Sequence, residues 1–102
     1  MLKFKPGVKI AGVRPEIALA IHVADDIYGM NDIATCVVTS VTEGKHGFGS
    51  LHFSGAAFDL RVSNFKTWKQ RHVVDELREH LTDEFDVVLE KDHIHVEFQP
   101  KN

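Results

Sequence analysis

The sequence predicts an α+β domain, a small antiparallel sheet flanked by helices. Two stretches, Pro15–Tyr28 and Trp68–Leu81, repeat apolar residues at helical spacing. Three others, Thr35–Thr42, Phe58–Val62 and His93–Phe98, are β-branched or alternate apolar with polar residues. Short, hairpin-like connections between the later elements favour antiparallel pairing.

A chain of 102 residues fits one domain with one modest core. Its 43% hydrophobic content excludes a disordered tail, and no apolar run is long enough to span a bilayer. The net charge of -3 with neutral His, and the lack of a basic stripe, speak against nucleic acid as a partner. Cys36 is the one cysteine, so no internal disulfide forms. The apolar run after Lys3, Lys5 and Lys9 is interrupted by Arg14, Pro15 and Glu16, so no signal-peptide core is expected, and the chain is expected to be cytoplasmic as made.

Residues 1–13, with Pro6, Gly7 and Gly12, read as an extended arm. Pro15 suits the first turn of a helix, where its missing N–H costs nothing. Ile17, Ala20, Ile21, Ala24, Ile27 and Tyr28 then share one face, His22 adjoins it, and Gly29 is the expected stop. Thr35–Thr42 is a strand. Glu43–Gly49 holds three glycines, Lys45 and His46, and reads as a loop that could touch substrate.

Phe58, Leu60 and Val62 fall on one face of the next strand, Asp59 and Arg61 on the other. The second helix turns Val73, Val74, Leu77 and Leu81 inward and leaves His72 and His80 among solvated charges. Val87–Leu89 is a short strand and Glu90–Asp92 a turn. The last strand sets His93, His95 and Glu97 on one face and Ile94, Val96 and Phe98 on the other.

Two stretches concentrate chemistry. Ser50–Asp59 reads S-L-H-F-S-G-A-A-F-D, and Asp92–Glu97 reads D-H-I-H-V-E. Seven histidines are many for this length. His52 precedes the strand of Asp59, with Gly55, Ala56 and Ala57 between them, small enough for a close backbone bend. Polar faces of two strands in one small sheet can converge. His52, Asp59 and His95 would then offer N, O and N ligands and leave a fourth tetrahedral position open, the catalytic rather than structural pattern for zinc. Asp92, three residues before His95, is the candidate general base.

The first stretch fits S-x-H-x-x-G-x-A-x-D at every fixed position: Ser50, His52, Gly55, Ala57 and Asp59. In this the chain resembles the family of zinc-dependent D-alanyl-D-alanine carboxypeptidases and endolysin-type peptidoglycan peptidases. Asp92–Glu97 resembles that family's second motif, an acid, two residues, a histidine, and then often an aromatic and Glu. The resemblance implies zinc on His52, Asp59 and His95, Asp92 as base, the fold shared with the hedgehog signalling domain, and the peptidoglycan stem peptide as substrate. A compact chain of this kind also resembles a phage or prophage product, which would act on the cell wall once released.

The chain departs from the family in three ways. Family members often carry an arginine shortly after the strand that precedes the first motif; here that region is T-S-V-T-E-G-K-H-G. Lys45 or His46 could donate in its place, and with Ser50 and His93 they are the candidate substrate or oxyanion contacts. Val96 stands where an aromatic is common. Finally, Glu90 lies three before His93 as Asp92 lies three before His95, so two registers fit; the second is preferred because Glu97 then also matches, and with His93 as ligand Glu90 would be the base. In either, the unused histidine could serve the oxyanion.

Two other readings compete. His93-Ile94-His95 also fits the metal motif of rolling-circle nickases, which need a tyrosine nucleophile, and Tyr28 is the one tyrosine. The domain could instead be a non-catalytic structural or binding module, for example in a phage particle, that keeps the metal site.

Overall fold

The structure, a computed structural model, describes residues 1–43 and 55–100. It is α+β, with two helices and one mixed five-stranded sheet. The elements run β1 (Leu2–Phe4), α1 (Pro15–Met30), β2 (Cys36–Ser40), β3 (Ala57–Arg61), α2 (Thr67–Leu81), β4 (Phe85–Leu89) and β5 (His93–Phe98). The sheet order is β1-β2-β3-β5-β4. The last four strands pair antiparallel, and β1 pairs parallel with β2.

Within the expected extended arm of residues 1–13, Leu2–Phe4 joins the sheet as β1, a pairing the sequence did not reveal. Three residues are too few to display a period, and their partner lies 34 positions on, with Leu2 opposite Cys36. Gly29 does not stop α1 either. The helix runs through Met30 and is closed by Asn31, whose side-chain amide donates to the Ile27 carbonyl (2.8 Å) and to Glu76 Oε1 of α2 (2.8 Å). Asp32, at φ 59°, then turns the chain away.

Both helices lie on one face of the sheet. Ile17, Ala20, Ile21, Ala24, Ile27 and Tyr28 of α1 meet Val73, Val74, Leu77 and Leu81 of α2 over Val38, Phe58, Leu60, Ile94 and Val96. All are buried, as their helical and two-residue periods require. His22 is exposed instead of lying at the core edge. His72 bonds Glu76 at the surface (2.9 Å), and His80 contacts the Glu76 carbonyl. The Arg78 guanidinium donates twice to the Val87 carbonyl, tying α2 to the edge strand β4. No helix among the described residues is long and apolar enough to cross a membrane.

Tyr28 is fully buried and edge-on to Phe65, with ring centroids 5.3 Å apart. Its hydroxyl donates to the Arg61 carbonyl (2.9 Å), and burial pushes its pKa far above the usual phenol value. A neutral, enclosed phenol is a core residue, not a nickase nucleophile. Cys36 is equally enclosed, and burial pushes its thiol up to about 12.

Candidate metal centre

The alternation that buries Phe58 and Leu60 turns Asp59 and Arg61 to the opposite face of β3. On β5, burying Ile94 and Val96 turns His93, His95 and Glu97 the same way. The antiparallel register sets Asp59 opposite His95, Arg61 opposite His93 and Ala57 opposite Glu97. One extra β2 residue between Val38 and Ser40 forms a bulge that brings Ser40 opposite Asp59.

Side chains follow that register. Asp59 Oδ1 lies 2.8 Å from His95 Nδ1 and 3.7 Å from His93 Nε2. One ligand atom from each of Asp59, His93 and His95 falls within 4.8 Å of the others, so the three form a group able to hold a metal ion. Ligand atoms about 2.0–2.1 Å from a tetrahedral zinc would lie about 3.3–3.4 Å apart. The observed 2.8 and 3.7 Å bracket that spacing, so small side-chain adjustments would admit an ion. Two imidazoles and a carboxylate suit zinc among other divalent metals. Side-chain exposures of 15% for Asp59, 19% for His95 and 31% for His93 shelter the group yet leave it reachable.

His95 is held on both sides and His93 on one. His95 Nε2 meets Glu97 Oε1 at 2.9 Å, and Gln99 donates to the other Glu97 oxygen. His93 Nδ1 meets Asp92 Oδ1 at 2.7 Å. Acids and imidazoles thus alternate: Asp92, His93, Asp59, His95, Glu97. Asp59 and Glu97 are both acceptors when ionised, so in this arrangement each ring nitrogen facing them carries a proton. The bond to Asp59 raises the His95 pKa most; Glu97 adds to it and burial opposes it. Asp92 is held below the usual carboxylate range by its bond to His93.

The structure brings Asp59 and His95 together and adds His93, which the preferred register had left as an oxyanion donor. His52, Ser50, Lys45 and His46 lie outside the described residues. Asp92 stands at the rim, 85% exposed, and lines a cleft of ≈ 410 Å³ with Asp59, His93, Arg61 and Lys5. Glu90, the base of the other register, is not part of that lining. Arg61 and Lys5 were not singled out from the sequence. Arg61 shares the face of Asp59 and could have been; Lys5 enters only because β1 joins the sheet. The second anchor of His95, Glu97, was legible in the H-x-E spacing of a strand.

Past the cluster, the first motif re-enters view at Gly55. It adopts φ +76°, and a Cβ there would lie 2.1 Å from the Gly12 carbonyl oxygen. The Arg14 N–H donates to the Gly55 carbonyl (3.0 Å). At the other end of the undescribed segment, the Glu43 carboxylate accepts from the Lys9 and Val41 N–H groups (3.2 and 2.8 Å). The arm of residues 8–14 therefore braces the chain on both sides of the segment that carries His52.

Nothing among protein-family models or curated proteins matches this chain.

Proposed function

We propose that the chain is a zinc-dependent peptidase that hydrolyses peptide bonds in the stem peptides of bacterial peptidoglycan. The observation that carries this is the Asp59–His95 pair, directly opposed on neighbouring strands at 2.8 Å, with His93 beside it. The motif resemblance of residues 50–59 and 92–97 supplies the reaction class. Zinc would be held by Asp59, His95 and His52. When bound, zinc supplies Lewis acidity toward a carbonyl and makes a water about as acidic as pH 7.

The chain's own residues do the rest. Asp92 is ionised well below neutral pH and stands at the mouth of the cleft that Asp59 lines. It takes the proton of the attacking water and delivers it to the leaving amine. His93, between Asp92 and Asp59, would donate to the oxygen that gains charge.

The test is digestion of purified peptidoglycan by the zinc-loaded protein, counting released amino groups. Asp92→Asn should lose about 10²–10⁴-fold in rate at unchanged zinc content. Equal rates for wild type and Asp92→Asn would remove Asp92 from the chemistry, and no digestion by either would remove the peptidase.

One observation favours a non-catalytic module. His93 already belongs to the metal-capable group, and its outer nitrogen already has Asp92. If His52 and His93 both bound zinc with Asp59 and His95, four protein ligands would close the tetrahedron and exclude a reacting water.

A further inference from the structure

We infer that Glu97 is a positioning residue for the metal centre: by accepting the Nε2 proton of His95 it presents Nδ1 as that ring's ligand atom. The inference rests on the metal-site reading and goes beyond it, to which nitrogen of His95 binds.

Three observations lead there. The ring has one nitrogen on each of two carboxylates, Nδ1 on Asp59 at 2.8 Å and Nε2 on Glu97 at 2.9 Å. Asp59 is a member of the metal-capable group and Glu97 is not. An ion recruited by Asp59 therefore meets Nδ1, and Nε2–H remains pointed at Glu97. A ligating imidazole commonly donates its second N–H to a carboxylate, which fixes the tautomer and makes the ligating nitrogen a better donor.

Glu97 is built for this task. It sits two residues after His95 on the same strand face, so no loop intervenes in setting the distance. Its side chain is 20% exposed, whereas Asp92, the corresponding acid on His93, is 85% exposed. Its second oxygen is taken by Gln99, which leaves the first aimed at the ring. Ala57 lies directly across on β3 and leaves room for the carboxylate.

The test reads the tautomer and the affinity separately from any hydrolysis. ¹⁵N-labelled protein is titrated with zinc, and the two ring nitrogens of His95 are followed by long-range ¹H–¹⁵N correlation. Wild type should show a metallated Nδ1 and a protonated Nε2. Glu97→Val should weaken zinc binding in chelator competition about 10–100-fold, and Glu97→Gln, which keeps an acceptor oxygen, should recover most of that loss. In metal-free protein, the Nε2 proton should exchange faster with water in Glu97→Val than in wild type, which checks the contact without zinc, while native-like amide dispersion in the same spectra shows that the variant folds.

Zinc on Nε2 in wild type, or equal affinity in wild type and Glu97→Val, overturns the role of Glu97 and leaves the metal centre standing. A Glu97→Gln as weak as Glu97→Val also overturns it, because loss of acceptor would then not be the cause. Failure of wild type to bind zinc at all removes both the metal centre and this role.

Discussion

Asp59 and His95 come from strands 36 residues apart along the chain, yet their side chains meet at 2.8 Å because β3 and β5 pair in a register that sets one opposite the other. His93 reaches the same carboxylate oxygen at 3.7 Å from the next same-face position. A metal ion in this group therefore has two fixed ligands and a choice of third.

That choice is testable by substitution. With His52, Asp59 and His95 as ligands, His52→Gln and Asp59→Asn should each weaken zinc by about 3 kcal/mol or more, near 100-fold, by removing one strong donor. His93→Gln should leave zinc bound and slow hydrolysis, because it removes only a donor to the oxyanion. Chelator competition on the purified variants checks it. If His93→Gln loses zinc as fully as Asp59→Asn while His52→Gln retains it, the ligands are Asp59, His93 and His95. Loss in all three variants indicates a closed, four-ligand site and the non-catalytic module.

Protonation of His95 should couple stability to pH in opposite ways with and without zinc. Asp59, then Glu97, raise the His95 pKa above the ordinary imidazole value. A group whose folded pKa is raised stabilises the fold fully below its unfolded value, about 6.5, and that contribution is lost as pH rises through the folded value. In chelator, the urea midpoint should therefore fall as pH rises above about 6.5. With zinc the trend should reverse, because the ligating nitrogen must first lose its proton. A flat chelator profile would mean that the imidazole gains nothing from its two carboxylates.

Much of this centre was legible because strand alternation is strictly local. The period of two in Phe58–Val62 and His93–Phe98 assigns Asp59, His93, His95 and Glu97 to the solvent side without any knowledge of pairing. Which of them meet is not local. It depends on the β3–β5 register, and β5 is reached only after α2 and β4. The place of Lys5 in the cleft was illegible for the same reason: β1 is three residues long and its parallel partner lies beyond an intervening helix. Gly29 misled because glycine is common at helix ends, whereas the stop here is Asn31, held by its bond to Glu76 on the other helix.

Tyr28→Phe separates core from chemistry. The phenol is enclosed and donates to the Arg61 carbonyl at 2.9 Å. Deleting the hydroxyl should cost about 1 kcal/mol, the usual net worth of one hydrogen bond, measured by urea unfolding. Zinc affinity should not change, since Arg61 keeps its strand pairing with His93. A nickase would instead lose its reaction outright with this substitution.

Gly55→Ala should damage the site through the backbone alone. A methyl group there would lie 2.1 Å from the Gly12 carbonyl oxygen, 2.9 Å from the Gly12 carbonyl carbon and 3.1 Å from Val13 Cα, all backbone atoms with no flexible side chain to yield. The residue also sits at φ +76°, where a side chain adds strain of its own. Relief requires the arm to lift from Gly55, breaking the bond from the Arg14 N–H. Loss of that contact plus strain should destabilise the fold by about 2 kcal/mol or more, lowering Tm by on the order of 10 °C. Gly7, also at positive φ but with open space around its Cβ position, is the control: Gly7→Ala carries the strain without the collision and should cost about half as much or less. Because the arm braces the chain next to the His52 segment, Gly55→Ala should also weaken zinc binding, while Gly7→Ala should not. Equal Tm values for the two variants would show that the close approach to Gly12 does not hold the motif in place.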